Sequence, residues 1–206
     1  MQSTKSDNIF LYFLYKATNF QKTNRITEDN RAWRQERNMR MINIAKSVAF
    51  TGHRPEKIAA GGQEDSARIQ RIKQELREAV IGKIEAGCNC FLSGMAMGAD
   101  LWAAEIVLEL KQFYPQILLT AVIPFAGQAD RFPEMWRRRY DTVLAGCDYV
   151  TVLSDSYYKG CFRARNQWLL DHSEHLIAVF NGSRGGTMQT LNDALLSGHR
   201  VVVIHC

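Results

Sequence analysis

From Ser47 onward the sequence alternates between two hydrophobic periods, and that alternation decides what the chain can fold into. Ser47-Val48-Ala49-Phe50-Thr51, Cys90-Phe91-Leu92-Ser93, Ile117 to Ile123, Tyr149-Val150-Thr151-Val152-Leu153, Leu176-Ile177-Ala178-Val179-Phe180 and Val201-Val202-Val203-Ile204 are short, nearly unbroken apolar runs. Between them the apolar residues fall three and four apart, as in Ile69, Ile72, Leu76, Val80 and Ile84, a helix closing near Gly87. The same spacing predicts helices around Leu101 to Leu108, from about Arg131 to Leu144, from Arg163 to His172 and from Gly186 to Leu196. Strands that are apolar throughout are covered on both faces, and strand–helix repetition builds a parallel sheet with right-handed crossovers. The expected fold is α/β: a Rossmann-like three-layer sandwich with a mainly parallel sheet of about six strands and helices on both faces.

The chain has 206 residues, enough for one well-buried domain and an appendage. Residues 1–43 lack a sustained period and read as an N-terminal extension, disordered or an upstream mis-start ahead of Met39 or Met41; residues 44–206 carry the domain. The formal charge is +5, yet residues 1–40 hold eight Lys/Arg against four Asp/Glu, leaving the rest of the chain eighteen against seventeen. A nucleic-acid groove needs a basic body, so the charge argues against that partner. The N-terminal run Ile9 to Tyr15 is far shorter than a bilayer span of ~20 residues, and no small-residue cleavage site follows, so neither a membrane nor a secretory route is expected. Five cysteines, an odd count, fit free thiols in the cytoplasm, and no second Cys/His pair near Cys88 and Cys90 has metal-ligand spacing, so no metal is expected.

In a parallel sheet, ligands bind beyond the carboxyl ends of the strands, and four loops there carry unusual residues. The first is Thr51-Gly52-His53-Arg54-Pro55, where Arg54 offers charge to a phosphate and His53 an imidazole. The second is Ser93-Gly94-Met95-Ala96-Met97-Gly98-Ala99-Asp100, whose glycines allow close backbone approach just before a helix N-terminus. Pro124-Phe125 is the third, and Gly185-Gly186-Thr187 opens a helix in the fourth. Arg165, with Asn166 after it, stands near the start of a helix, against the dipole, which hints at an anionic partner. Arg137-Arg138-Arg139 reads as a solvated helix face, and the remaining histidines as structural. Phe125, Phe132, Trp136, Tyr157 and Tyr158 are candidates for core or ligand lid.

Taken in order, Thr51 to Pro55, Ser93 to Glu105, Pro124-Phe125, Arg165-Asn166-Gln167-Trp168 and Gly185-Gly186-Thr187 resemble the YpsA-like branch of the SLOG superfamily, over about residues 44–206. The resemblance implies a Rossmannoid domain that binds nucleotides or nucleotide-derived signals, with relatives among the DNA-processing protein DprA and the cytokinin-activating LOG phosphoribohydrolases. LOG enzymes carry a catalytic glutamate three residues after the Gly-Thr pair; here that position is Thr190, which argues against LOG chemistry. Three functions follow. The leading one is binding or sensing of a phosphate-bearing nucleotide derivative, which needs no catalytic group and no further cofactor. A hydrolase or transferase on a nucleoside phosphate would draw on Asp155, Asp100 or His53. A single-stranded DNA binder would need the cationic groove that the body lacks. Rossmannoid relatives commonly pair, so a homodimer is the oligomer to test.

Overall fold

The computed structural model describes residues 43–59 and 62–206; the extension assigned to residues 1–43 lies almost wholly outside them. Six strands appear: β1 (Ser47–Gly52), β2 (Cys90–Ser93), β3 (Leu118–Ile123), β4 (Tyr149–Val152), β5 (His175–Phe180) and β6 (Arg200–His205). All neighbouring pairs are parallel and the order across the sheet is β4-β3-β2-β1-β5-β6. The chain therefore steps outward from β1 to β4, then returns past β1 to lay down β5 and β6. This reversal makes β1 and β5 the switch point, beside which such sheets bind ligands.

Six helices join the strands: α1 (Pro55–Ile58), α2 (Ala67–Glu85), α3 (Ala99–Leu110), α4 (Glu134–Gly146), α5 (Cys161–Asp171) and α6 (Gly186–Leu196). Alternate residues of the strands feed two cores, as period-two geometry requires. Val48, Phe50, Phe91, Ile177 and Val179 pack under α2, α3 and α4, whose Ile72, Leu76, Trp102, Val107 and Val143 meet them. Ala49, Leu92, Val122, Leu176 and Ala178 face the other way, under Leu169 and Leu170 of α5 and Leu191 and Ala194 of α6. The result is the three-layer sandwich expected from the periodicity.

Differences from the sequence reading are local and have causes. The one-turn α1 was not expected; it exists because Pro55 sits at its first helical position, where a missing N–H costs nothing. Helix α4 starts at Glu134, after Pro133, and not near Arg131. Helix α5 starts at Cys161, two residues before Arg163, because Gly160 takes the left-handed conformation (φ 101°) at its N-cap. Arg139 also departs from the solvated face: it is half-buried, pairs with Glu64 and with Glu105 (2.5 Å), and lies 4.4 Å from the Trp136 ring. With Lys73 on Glu64 at 2.6 Å, this cluster ties the loop before α2 to α3 and α4.

Candidate functional site

All four loops singled out from the sequence lie at the carboxyl edge of the sheet, because every strand runs in the same direction. They differ in what they leave accessible. Arg54, Gly185 and Gly186 are exposed and Phe125, Asn166 and Gly52 partly so, whereas Thr51, His53, Ser93, Gly94, Met95, Gly98, Asp100, Pro124, Arg165 and Thr187 are buried. The first group is what an incoming molecule meets; the second shapes the floor beneath it.

The loop from Ser93 to Asp100 is held from within. Ser93 Oγ donates to the carbonyl of Asp100 at 2.9 Å and accepts from the Met95 N–H at 3.1 Å. Met95 takes a left-handed φ of 57°, a conformation that L-residues other than Asn and Asp adopt rarely and that this lattice of bonds sustains. Asp100, in the first turn of α3, accepts from the Ala96 N–H at 3.4 Å and from Arg165 Nη1 at 3.1 Å, both side chains being nearly solvent-free. The helix N-terminus that invites an anion thus holds the protein's own carboxylate. Burial raises the Asp100 carboxyl above its ordinary value, and the Arg165 guanidinium, the Ala96 N–H and the charge of Arg54 pull against that rise.

Gly94 is needed because a Cβ there would overlap Arg165 Nη1. Gly98 (φ 90°) is needed because a Cβ would stand 2.6 Å from the His53 carbonyl oxygen. The glycines of this loop thus accommodate neighbouring parts of the protein.

The N-terminus of α6 is arranged differently. Its first turn contains no acid, its N-cap Gly185 supplies no side-chain bond, and a Cβ on Gly186 would meet nothing within 4 Å. Lys57 Nζ stands 3.4 Å from the position a Gly185 Cβ would take. Buried Thr187 Oγ1 lies 3.4 Å from His53 Nδ1. Burial holds the His53 ring below its ordinary pKa, the Lys57 charge adds to that, and Asn181 partly offsets both. Thr190 is committed elsewhere: its Oγ1 donates to the Gly186 carbonyl (2.9 Å) and accepts from Asn166 Nδ2 (2.8 Å), clasping α5 to α6.

Beyond these loops lies a cleft of about 620 Å³, lined by Arg54, Ala96, Met97, Phe125, Gln128, Arg131, Phe132, Asp155, Tyr157 and Phe162 among others. Phe125 makes edge contacts with Tyr157 (5.5 Å between centroids) and Phe162 (5.9 Å), so the wall is aromatic, with guanidinium groups beside it. The sequence pointed to Arg54 and Phe125 but missed Gln128 and Arg131. Gln128 was legible only as a polar residue four positions past the Pro124 that ends β3. Of the other aromatics, Trp136 is in the core against Trp102 (6.5 Å). His172 stacks on Trp168 at 3.8 Å and His199 bonds two carbonyls, scaffolding roles both. Among the described residues no group of three His, Cys, Asp or Glu side chains gathers to hold a metal, and no helix is long and apolar enough to cross a membrane.

Six parallel strands in this order, helices on both faces and a cleft past the carboxyl ends define a Rossmann-like α/β protein. Residues 48–199 match the family model of the YspA SLOG family, and the chain belongs to that family. The UPF0398 protein of Bacillus pumilus (strain SAFR-032) is 30% identical over 144 residues, covering 69% of this chain and 77% of its own. The UPF0398 protein YpsA of Bacillus subtilis (strain 168) is 28% identical over 144 residues, 69% and 79% of the two chains. Among solved structures, DNA processing protein A (DprA) from Streptococcus pneumoniae superposes with TM-score 0.54 at 20% identity, over 79% of this chain and 51% of that one. DprA from Helicobacter pylori gives 0.52 at 18% identity, over 76% and 64%. At these identities the likeness is one of fold, and this chain spans about half to two thirds of the DprA chains.

Proposed function

We propose that this protein binds a nucleotide or nucleotide-derived, phosphate-bearing ligand in the cleft at the carboxyl edge, and acts through binding. The observation that carries this reading is the cleft's composition: an aromatic wall of Phe125, Tyr157 and Phe162 suited to a planar base, with Arg54 and Arg131 in the same lining to meet phosphate. The N-terminus of α6, unoccupied by any acid of its own and close to Lys57, offers a second place for an anion on the same edge of the sheet. A LOG-type hydrolysis finds no support, because Thr190 is buried and both of its hydroxyl bonds are internal. The Helicobacter pylori relative is one whose mode of single-stranded DNA binding has been described; here, residues 41–206 carry eighteen Lys/Arg against seventeen Asp/Glu, too even a balance for a strand-tracking groove. A cytoplasmic setting goes with this reading and is supported by five free cysteines.

The test is a thermal-shift screen of the full chain against AMP, ADP, ATP, cyclic nucleotides and ADP-ribose, with inorganic phosphate alongside. A ligand at a hundred times its Kd stabilises by about 2.7 kcal/mol, a readily measured shift. Arg54→Ala should reduce the shift with little change in the unliganded Tm, and Phe125→Ala should reduce it from a lower unliganded Tm, since it also removes the ring contacts with Tyr157 and Phe162. A screen in which no nucleotide moves the Tm sinks the proposal, and chromatography of the same mixtures reports any turnover.

A further inference from the structure

The two edges of the sheet are finished differently. At one edge β4 spans four residues, the kind of short strand that blunts an edge. At the other, β6 runs six residues, and its register with β5 continues without a bulge from Arg200 opposite His175 to His205 opposite Phe180. No proline and no charged side chain interrupts Val201-Val202-Val203-Ile204. The three valines are only partly covered, whereas β5 beside them is buried from His175 through Val179. Val201 and Val203 lie on the α5–α6 side of the sheet and Val202 on the other, so this rim is apolar on both faces.

The backbone along the rim is unpaired. Arg200 N–H donates to the Glu174 carbonyl (2.9 Å) and Cys206 N–H to the Phe180 carbonyl (3.2 Å). By the period of two, Val202 and Ile204 also turn their N–H and C=O toward β5, and Val201, Val203 and His205 turn theirs outward. The outward groups of Val201 and Val203 meet no partner among the described residues. Leu195 (58% exposed) and Leu196 (87%), in the last turn of α6, are separated from β6 only by residues 197–199 and add apolar surface near its start.

We infer that β6 is a docking edge for a second copy of this chain, the two strands pairing antiparallel about a two-fold axis at Val203. The occupant follows from self-complementarity. An antiparallel partner must set outward-facing residues opposite outward-facing residues, and about Val203 this strand does so with itself. Val203 faces the partner's Val203, and Val201 the partner's His205. The His205 carbonyl oxygen keeps a second lone pair for that contact beside the one that Arg71 Nη2 approaches at 3.4 Å. Val202 meets the partner's Ile204, an apolar pair. Arg200 comes opposite the partner's Cys206 and not another cation, and it is already paired with Glu174 at 3.1 Å. Because β4 at the other edge is short, the contact is isologous and closes at two copies instead of running on into a fibre. The pairing does not depend on what the cleft binds.

Light scattering of the full chain gives the first reading: the mass of two chains at about 100 μM. Hydrogen exchange resolved to single amides locates the contact. In the dimer the Val201 and Val203 amides should exchange at least about tenfold more slowly than an open edge allows. Val203→Pro removes an outward N–H and no bond to β5, and should yield a folded monomer. A full chain that is monomeric at that concentration overturns the inference. So does a dimer whose Val201 and Val203 amides stay fast, which places the contact on another face, and so does a folded Val203→Pro variant that still pairs. The first two readings use the wild-type protein, so they decide the matter even where the proline variant fails to fold.

Discussion

Arg165 shows how a single side chain can look like a ligand residue from its sequence position and be spoken for in the fold. Two arginines near the start of a helix oppose its dipole, and the conflict suggests an anion; the structure supplies one from within, the Asp100 carboxylate 3.1 Å away, both side chains being under 10% exposed. Such a pair is costly to break from one side. Arg165→Met should lose about 3–5 kcal/mol in urea unfolding, because it strands a buried carboxylate whose burial is then opposed only by the Ala96 N–H and the charge of Arg54. Asp100→Leu combined with Arg165→Met should recover much of that loss, which separates the penalty of a stranded charge from the worth of the pair. Arg138→Ala is the contrasting case: its partner Glu134 is one turn away and both side chains are more than two-thirds exposed, so a change of about 0.5 kcal/mol or less is expected. A loss as small for Arg165→Met would show that the pair does not brace the loop.

At the scale of elements, two helix N-termini that the sequence writes alike, each a glycine pair ahead of a helix, serve different purposes. That of α3 is filled by Asp100 and packed against the His53 carbonyl; that of α6 opens onto space. Gly98→Ala should therefore destabilise the fold by at least about 1–2 kcal/mol, from a positive φ and a close backbone contact together. Gly186→Ala should leave the urea midpoint almost unchanged. The reverse pattern would exchange the two roles. The fold was legible because strand and helix periods are set by burial over many residues, as in Ile69 to Ile84 or Leu176 to Phe180. The placing of the loops on one edge followed from parallel strands. What sequence could not show is which polar residue reaches which neighbour. Gln128 clasps a loop more than thirty residues away, and Arg165 and Asp100 are 65 apart, distances over which no spacing rule operates. The early start of α5 was hidden for a smaller reason: only the left-handed Gly160 marks it.

For the molecule as a whole, stability against pH collects these local environments with their signs. His53 and His175 both titrate below the ordinary histidine value, from burial first and then from Lys57 and Lys83 respectively. A depressed histidine contributes stability that is fully present above about 6.5 and lost as the pH falls through its folded value, because the native state resists the proton more than the unfolded chain does. Glu64 behaves likewise further down: burial would raise it, but Lys73 and Arg139 hold it lower, so its contribution is lost only on acidification below its ordinary value of 4.5. Asp100, raised by burial, has the opposite sign: its contribution grows as the pH falls through its raised value and is complete once the pH is below 3.8. The apparent Tm should therefore hold from pH 8 to 7, decline toward pH 5, and decline again below about 4.5, with Asp100 blunting the second fall. His175→Asn removes one titrating ring remote from the cleft and should flatten part of the first decline while leaving the second in place. A bound nucleotide should shrink the first decline if its phosphate lies beside His53, since the phosphate raises the proton affinity of the ring and brings its folded value back toward 6.5. A Tm that stays level or climbs from pH 7 to 5 in the unliganded protein would mean that neither histidine is held neutral by its surroundings.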